Sequence, residues 1–572
     1  MKLEPLTSVE VKAIEIPRRV PVPAFADPNK FSNRVFGAFC RINPALPCMQ
    51  DEVFLKRAFE VIAASGFRNL PLESRHLKLS AFVEQDAEIK KWRDWYAEEK
   101  VRIAAWKKDN KEELDKRKEE FKAKYGCAIV NGVEEPLQSY AVEPEGFFFG
   151  RGDSPLSGYW KFENTAADIR LNTNSENLPA VIYAGEDGEA LVTSGFAWNV
   201  DWDPESHFAA QYNINIGIPN PDGTIKTKKA EKYKMIQFGA TSSVKKEGQS
   251  KKYAAASDLG KSYETIIENV KKEFQKARSS DKIADLSTAI AVFMLFEKGI
   301  RIGSAKPTVN GTKGLLSLEW GKDVKRDGNK IKFNFYGKDS VKDTSSIETE
   351  YADVIEKGWS KYTKLLTDKA SIKEYISKLA PSVSDVFSPK LCRTAVAASV
   401  MLKALDEVVD KYKLTKESPE ALKKLAFDEA NMAVARRLNH QRGVNKVAEA
   451  KRNEANKLKE ESIKERTAKL KISNEKKQEK IKALKAAKKD GWKDKVKKLQ
   501  EQMAKADERL TQSKRNLKFK EENGNITAST SKAAYIDPSI VADFCTKVDL
   551  KLEKVYTKKQ IEQFSQFFGE EE

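Results

Sequence analysis

The sequence has 572 residues, of which 40% are hydrophobic and 33% charged, which predicts several cores together with a heavily solvated region. Lys and Arg outnumber Asp and Glu by 103 to 85, and the resulting net charge of +18 is about equally consistent with a polyanionic partner and with solubility alone. The 5 cysteines form no CxxC pair, which argues against a zinc ribbon and a disulfide framework. No apolar stretch has the length of a bilayer span, so we expect an intracellular protein without a membrane partner.

The first half of the chain changes character twice. Residues 1–50 are rich in Pro and aromatic residues and are typical of an extended arm, and the pattern from Asp51 to Tyr125 is helical. Residues 126–240 contain short runs such as AVIYAG, ALVTSG and NINIGI between turn-forming residues, which predicts strands.

Residues 255–440 are mostly helical in pattern, with one strand-rich interruption, GLLSLEWGKDVKRDGNKIKFNFYGKDSV. There SLEW and KIKFNFYG flank a turn at Asp327-Gly328, which predicts a small antiparallel pair with Lys338 at its turn.

Lys, Glu, Ala, Asn and Gln dominate residues 446–520, and Asp490-Gly491 is the obvious break. The pattern predicts two antiparallel helices, although a solvated spacer or disorder would have a similar composition. A short, mainly helical segment follows from 521 to 572. The apolar residues with heptad-like spacing, expected to form a narrow seam, are Val496, Leu499, Met503, Ala506, Leu510 and Leu517.

Two short motifs have the residues of a nucleophilic site. Tyr535 lies in STSKAAYIDPSIVADFC, between a polar segment and Asp-Pro, and His440 lies in RRLNHQRGVNK. Taken singly, any one of the 16 tyrosines is more often a core or capping residue, and a lone histidine is more often structural than catalytic.

Three cations complete the set: Arg301 in FEKGIRIGSAK, Arg393 in SPKLCRT and Lys338 in KFNFYGKDSV. A guanidinium is planar and permanently charged, and its fork of donors matches two oxygens of a phosphate. Each of these residues alone would more often be a solvated surface residue.

Together, the motifs resemble eukaryotic-type DNA topoisomerase IB, whose nucleophile segment reads approximately TSK-x-x-Y-[LI]-D-P. The five candidates occur in that family's order of Arg, Lys, Arg, His, linker and Tyr. YGCAIVNGVEEPLQSYAVEPEGFFFGRGDSP is similar to the family's cap region, and the resemblance extends from about Asp51 to Phe568.

The resemblance implies a multidomain α+β protein. An N-terminal arm (1–50) would precede a mixed α/β cap lobe of a DNA clamp (51–240) and a mainly α catalytic lobe with a small β-hairpin sheet (241–445). An antiparallel helical-hairpin linker (446–520) and a small α C-terminal domain (521–572) would follow.

The resemblance also implies a mechanism that relaxes supercoiled DNA without ATP, metal or another cofactor. Tyr535 would attack a phosphate to give a 3′-phosphotyrosyl intermediate, while Arg301, Arg393 and His440 stabilise the transition state and Lys338 protonates the leaving oxygen. The chain has no GxxxxGK[ST] phosphate loop, which agrees with ATP-independent chemistry.

By position in matching motifs, further residues would contact double-stranded DNA. The enzyme would act as a monomer in the nucleus, or in a viral factory or virion if its source is a large DNA virus. The expected DNA contacts are Arg151, Lys232, Tyr233, Met235, Lys306, Thr312, Asp339, Asn439 and Thr530.

Some residues depart from the family pattern. Ala534 precedes the nucleophile where the family usually has Asn, Phe149 replaces an Arg, and the run after Arg301 is Ile-Gly-Ser-Ala instead of Ala-Gly-Asn-Glu. Residues 203–228 look like an insertion. Because the Asn contributes to binding of camptothecin-type inhibitors in the family, we expect inhibition to be possible but weakened.

Three other protein classes are alternatives to this interpretation. A tyrosine recombinase shares the chemistry but usually has its second Arg in His-x-x-Arg, whereas this chain has Lys390-Leu391-Cys392-Arg393. A catalytically dead DNA-binding protein would lack one of the five residues. A metal-dependent nuclease or topoisomerase would need an acidic cluster, for which Asp201-Trp202-Asp203 is the candidate, although its turn-rich surroundings favour a loop.

Overall fold

The chain forms two compact units by its internal contacts. The first comprises Met1–Lys252, Ser304–Ser317 and Phe335–Ser340, and the second comprises Tyr253–Gly303, Leu318–Asn334 and Val341–Glu572. A computed structural model describes residues 3–16, 105, 108–143, 146–147, 160–162, 164–184, 190–219, 225–229, 233–280, 285–305, 311–338, 341–440, 446–488, 491–524 and 526–569.

Short strands and one long helix make up the described part of the first unit. The elements are β1 (Val9–Val11), β2 (Ala13–Glu15), α1 (Lys111–Tyr125), β3 (Cys127–Val130), β4 (Val133–Pro136), β5 (Gly146–Phe147), β6 (Trp160–Lys161), β7 (Arg170–Leu171), β8 (Ala180–Ala184), β9 (Ala190–Thr193), β10 (Asn199–Val200), β11 (Ala210–Tyr212), β12 (Asn215–Pro219), β13 (Ile225–Lys229) and β14 (Lys234–Ile236).

These strands form four small sheets, and strands of three of them, β1, β2, β3, β7, β8, β11 and β14, contribute side chains to one apolar core. The strand orders are β1-β3-β4, β2-β8-β9, β10-β7-β11-β14 and β13-β12-β6-β5. The inward side chains of β1, Val9 and Val11, are buried, while Glu10 between them is partly exposed, as expected for a strand with one face on the core. The strands predicted from AVIYAG, ALVTSG and NINIGI are confirmed as β8, β9 and β12.

Helices dominate the described part of the second unit, and α2 (Ser243–Lys261) runs into it from the first. The further helices are α3 (Tyr263–Arg278), α4 (Ser287–Phe293), α5 (Ala352–Ser360), α6 (Lys369–Leu379), α7 (Pro389–Tyr412), α8 (Glu420–Arg437), α9 (Lys446–Ala487), α10 (Trp492–Glu522), α11 (Ser529–Ala534), α12 (Pro538–Val548) and α13 (Lys558–Gln563).

The strand-rich interruption of this unit differs from its prediction. β15 (Val324–Asp327) pairs antiparallel with β16 (Lys330–Phe333), and β16 pairs in turn with β19 (Ser346–Glu348). The predicted partner SLEW was wrong, because the pair Asp327–Lys330 encloses only two loop residues and the first strand must therefore end directly at the turn. The predicted position of Lys338 was also wrong: Lys338 follows β17 (Phe335–Tyr336) instead of lying at the turn between β15 and β16.

The charged segment forms two long helices, α9 and α10, which pack against each other. Ile463 of α9 clusters with Leu510 and Leu517 of α10, and Val496 is also buried near the start of α10. All six residues predicted for the seam are buried or partly buried, whereas the charged residues around them are mostly exposed. The heptad-like spacing therefore identified the inward stripe of α10.

The structure agrees with a mixed α+β protein of several parts, with helices and small sheets. Among the described residues, no helix is both long and apolar enough to cross a membrane. The predicted N-terminal arm and most of the helical pattern of residues 51–125 lie outside the described residues, and α1 confirms the end of that pattern.

Candidate active site

Tyr535 follows directly on α11, a helix of 6 residues, and is partly buried. Its backbone N–H donates to the carbonyl of Ser531 at 2.9 Å, and the N–H of Ile536 donates to the same oxygen at 2.9 Å. Asp537 then caps α12 by accepting from the N–H of Ser539, and Pro538 occupies the first turn. The Asp-Pro pair thus starts a new helix and leaves Tyr535 at the junction between the two.

Arg301 follows a buried apolar helix that ends in an unusual turn. α4 continues into a π-helical turn at Met294–Lys298, and Gly299 then adopts a left-handed φ of 65°. π-helical turns concentrate at functional sites because they redirect the chain locally. Here the turn and the glycine end the helix two residues before Arg301, whose side chain is partly buried.

Arg393 lies in the first turns of α7 and is only 4% exposed. Its Nη1 donates to the carbonyl of Gly299, and its Nη2 donates to the carbonyl of Leu438 at 3.0 Å. Burial lowers the pKa of Arg393 to about 10, although the phenol of Tyr535 opposes the shift, and the group therefore stays cationic at neutral pH. Backbone carbonyls thus hold a buried cation that would otherwise be costly to desolvate.

His440 comes just after α8 and is also 4% exposed. Its ring centroid lies 5.2 Å from that of Tyr535, and its Nε2 lies 3.3 Å from Nη2 of Arg393. Because a guanidinium can only donate, Nε2 must accept, which places the ring proton on Nδ1. Burial, followed by the charges of Arg393 and Arg301, lowers the pKa of His440 to about 3, so the ring is neutral at physiological pH.

The electrostatics around Tyr535 favour the phenolate. Burial alone would raise its pKa, but the charges and hydrogen bonding of Arg393 and Arg301 outweigh burial and lower the pKa below its ordinary value. The guanidinium of Arg393 lies 5.0 Å from the centroid of the ring. A tyrosine that loses its proton more readily is a stronger candidate nucleophile.

The structure therefore brings together four of the five predicted residues: Arg301, Arg393, His440 and Tyr535. Lys338 is assigned to the first unit, where it is exposed after β17. Of the expected DNA contacts, Arg151, Lys232, Lys306 and Asp339 lie outside the described residues.

The remaining expected DNA contacts are accessible to different degrees. Tyr233 and Met235 flank Lys234 at β14, and each is 37% exposed. Thr530 is exposed on α11, whereas Thr312 and Asn439 are partly buried.

The acidic pair that could have indicated a metal site has partners within the first unit. Asp201 Oδ2 lies 2.6 Å from Nε of Arg170, and Asp203 accepts from Oγ of Ser206 at 2.6 Å and from the N–H of Glu205 at 3.0 Å. The described residues contain no group of three or more His, Cys, Asp or Glu side chains that could hold a metal ion. Residues 201–203 lie in no helix or strand, as the loop interpretation predicted.

Sequence reasoning missed several groups that build the site. The carbonyls of Gly299 and Leu438 hold Arg393, and no sequence pattern identifies a carbonyl acceptor. Asn431 was also missed, although a signal existed: it is a polar residue on the buried face of α8, where it is 4% exposed. A buried amide usually has hydrogen-bond partners and can therefore be searched for.

Comparison with known protein families identifies the chain. Three profiles match: the eukaryotic DNA topoisomerase I catalytic core over residues 241–478, its DNA-binding fragment over residues 48–213, and the C-terminal topoisomerase domain over residues 507–566. The chain belongs to the eukaryotic DNA topoisomerase I family. The core match of this topoisomerase I family contains Arg301, Lys338, Arg393 and His440, and the C-terminal match contains Tyr535.

Individual relatives carry the same name. The chain is 27% identical over 494 residues to DNA topoisomerase 1 alpha of Arabidopsis thaliana. This alignment covers 82% of the chain and 49% of that protein. Over 490 residues, the chain is 26% identical to DNA topoisomerase 1 of Drosophila melanogaster, and this alignment covers 82% of the chain and 44% of that protein. Over 493 residues, it is 26% identical to DNA topoisomerase 1 of Homo sapiens, and this alignment covers 82% of the chain and 58% of that protein. The chain thus spans about half the length of these topoisomerase I relatives.

Proposed function

We propose that this chain relaxes supercoiled DNA by cutting one strand and resealing it through a 3′-phosphotyrosyl intermediate. The observation that carries the proposal is the position of Tyr535 beside a buried guanidinium and a neutral imidazole, with its pKa lowered by Arg393 and Arg301. Such a group is suited to attack a phosphodiester, because the same cations that favour the phenolate also attract the phosphate.

The proposed reaction consists of two transesterifications. The oxygen of Tyr535 attacks the scissile phosphorus in line, a P–O(Tyr) bond forms, and the bond to the 5′-oxygen breaks. The tyrosine gives up its proton, and the 5′-oxygen receives one on leaving. Reversal of these steps restores the strand after rotation. One phosphoester replaces another at each step, so no ATP is consumed.

Two buried donors support a phosphate at this position. Nε of Arg393 and Nδ1 of His440 are buried and have no hydrogen-bond partner within the described parts of the chain. Buried polar groups are nearly always paired in native proteins, so unpaired donors beside a nucleophile are explained if a ligand oxygen completes them. We assign Arg301, Arg393 and His440 to the non-bridging oxygens of the pentavalent transition state.

The role of Lys338 is proposed from its place in the family motif. It would act as the general acid that protonates the departing 5′-oxygen. Its exposure after β17 leaves its ammonium accessible, as a group that meets a ligand must be.

Duplex DNA would be held chiefly through its backbone, since phosphate contacts carry little sequence information. Tyr233, Met235, Thr312, Asn439 and Thr530 are the proposed contacts within the described residues, and Arg151, Lys232, Lys306 and Asp339 stay predictions from sequence. Monomeric action, nuclear location and the five-part domain division also stay predictions.

The test is relaxation of a supercoiled plasmid in EDTA without ATP, combined with trapping of the covalent complex in denaturant. We expect relaxation by the native chain and a free 5′-hydroxyl at the cut. Tyr535→Phe should retain DNA binding and lose both relaxation and the adduct. Tyr375→Phe is the control, because that half-buried hydroxyl is bonded to Glu273 within the same unit. A protein-linked 5′ end, or an adduct in Tyr535→Phe, would overturn the proposal.

A further inference from the structure

The helix that presents Tyr535 cannot hold its own position. α11 has 6 residues, and a helix of that length is unstable in water without tertiary contacts. Its placement, and with it the placement of the nucleophile, must therefore depend on the residues that bind it to its surroundings.

On one side, α11 is bound to α8 through two buried hydrogen bonds of Asn431. Oγ of Ser531 donates to Oδ1 of Asn431 at 2.6 Å, and Nδ2 of Asn431 donates to the carbonyl of Ala528 at 3.1 Å. Ser531 is fully buried and Asn431 is 4% exposed. One amide side chain thus binds both the residue before α11 and a residue within it.

Asn431 is linked to Tyr535 through the backbone. The carbonyl of Ser531, whose side chain binds Asn431, accepts the N–H of Tyr535 at 2.9 Å. A displacement of Ser531 would therefore move the residue that carries the phenol.

The same helix α8 also fixes the groups that face the phenol. The N–H of His440 donates to the carbonyl of Ala435 at 2.9 Å, and the carbonyl of Leu438 accepts from Arg393. α8 is thus the common support for the nucleophile and for two of its neighbours, and Asn431 connects the nucleophile to that support.

We propose that Asn431 is a positioning residue, which through Ser531 and Ala528 fixes Tyr535 at its working distance from Arg393 and His440. The inference deepens the proposed function, since it assumes that Tyr535 is the nucleophile. Positioning of this kind matters because a misplacement of about 1 Å can cost a factor of about 100 in rate.

A second contact separates positioning from folding. Lys532 donates from Nζ to the carbonyl of Val555, and its amine lies 5.5 Å from the centroid of the Tyr556 ring. This contact binds α11 to the C-terminal segment independently of α8. Loss of Asn431 should therefore leave α11 attached to the fold, because the N–H of Thr527 before the helix also donates to the carbonyl of His440 at 2.9 Å, but should let the helix itself shift relative to α8.

The experiment measures single-turnover cleavage of a nicked duplex whose cut strand dissociates, so that religation is prevented. The variants are Asn431→Ala, Ser531→Ala, the double variant and Ser531→Cys, which keeps the shape of the side chain with a slightly larger atom that is a weaker donor. The matched control is Ser287→Ala, because Ser287 is also fully buried and its Oγ accepts the N–H of Leu366 at 3.0 Å. Melting temperature and the DNA concentration for half-saturation are measured on each preparation.

We expect the rate at saturating DNA to fall about tenfold in both alanine variants while half-saturation is unchanged, as for loss of orientation without loss of binding. The double variant should be no slower than the slower single one, because both residues act in the same contact. Ser287→Ala should lower the melting temperature without slowing cleavage, and Ser531→Cys should give an intermediate rate.

The inference is overturned if Asn431→Ala cleaves as fast as the native chain, if the two losses multiply in the double variant, or if Ser287→Ala is slowed equally. Should the alanine variants not fold, Ser531→Cys decides, and a native rate for this variant also overturns the inference. Failure of the proposed function itself is recognised separately, since Tyr535→Phe would then still cleave.

Discussion

The guanidinium carbon of Arg393 lies 5.0 Å from the centroid of the Tyr535 ring. Its two terminal nitrogens are held at the same time by the carbonyls of Gly299 and Leu438, so the charge cannot follow the tyrosine if the ring moves. A fixed cation stabilises charge that develops during a reaction without reorganising at that moment. The predictions below follow from this arrangement and from the residues around it.

The pH dependence of cleavage should be set by Tyr535 and not by His440. Cations favour the phenolate, so the lowered pKa of Tyr535 means that the second-order cleavage rate should rise with pH, with a midpoint below that of an ordinary tyrosine. The pKa of His440 is about 3, so the ring stays neutral and no inflection should occur near pH 6.5. Single-turnover rates at subsaturating DNA from pH 5 to 9.5 test both statements.

Arg301→Ala provides the control for this profile, because removal of one cation should move its upper limb to higher pH. An inflection near pH 6.5 that disappears in His440→Gln would show instead that the histidine titrates in this range.

Arg393→Lys should slow cleavage about 100-fold, equivalent to about 2.7 kcal/mol of barrier, because an ammonium lacks the fork that binds two carbonyls and a phosphate together. DNA affinity should change little, since one charge of the same sign replaces another. Arg326→Lys is the control, as that arginine lies on β15 and pairs with Glu356 at 3.0 Å. Retention of the native rate by Arg393→Lys would show that charge alone suffices.

Lys338→Ala should be rescued by a substrate with a bridging sulfur at the 5′ position, because a thiolate leaves without protonation. Rescue should be much weaker for Arg393→Ala, whose lost function is charge stabilisation. Lys342→Ala, which alters an exposed lysine four residues further along the chain, should cleave both substrates normally. If sulfur rescued the Lys338 and Arg393 variants equally, Lys338 would not be the general acid.

Ala534→Asn should increase trapping of the cleaved complex by camptothecin-type compounds. Ala534 is exposed at the end of α11, next to Tyr535, and its methyl group can neither donate nor accept a hydrogen bond. A regained hydrogen bond of about 0.5–1.5 kcal/mol corresponds to at most about tenfold in affinity. The measurement is drug-stabilised cleavage of a labelled duplex over a concentration series, with Ala533→Asn as control. Equal trapping in the native chain and Ala534→Asn would contradict the assignment.

Patterns of neighbouring residues predicted those helices and strands whose formation depends on the local sequence. Heptad-like spacing located the inward residues of α10, and short β-branched runs located β8, β9 and β12. The partner of β16 was missed because SLEW is the more apolar segment, whereas the two-residue turn selects VKRD through geometry. Apolar content thus predicts burial better than it predicts pairing.

The site was predicted as a set of residues, but its interactions were not. Motif order identified Arg301, Arg393, His440 and Tyr535, yet no pattern indicated that Arg393 would be almost fully buried against backbone carbonyls. The low pKa of His440 likewise depends on burial and on two cations that are distant in sequence. Such properties arise from tertiary packing, which a single sequence does not contain in readable form.

Gly299 shows how the active site can restrict which residue is tolerated at a position that has no reactive side chain. A methyl group on it would lie 3.0 Å from Cδ2 of Leu438 and 3.3 Å from the carbonyl of Arg437, in a left-handed backbone that larger residues rarely adopt. Substitution would displace the carbonyl that binds Arg393 while leaving all five candidate side chains unchanged in sequence. A larger residue here would therefore be expected to weaken the support of Arg393, even where every reactive group is retained.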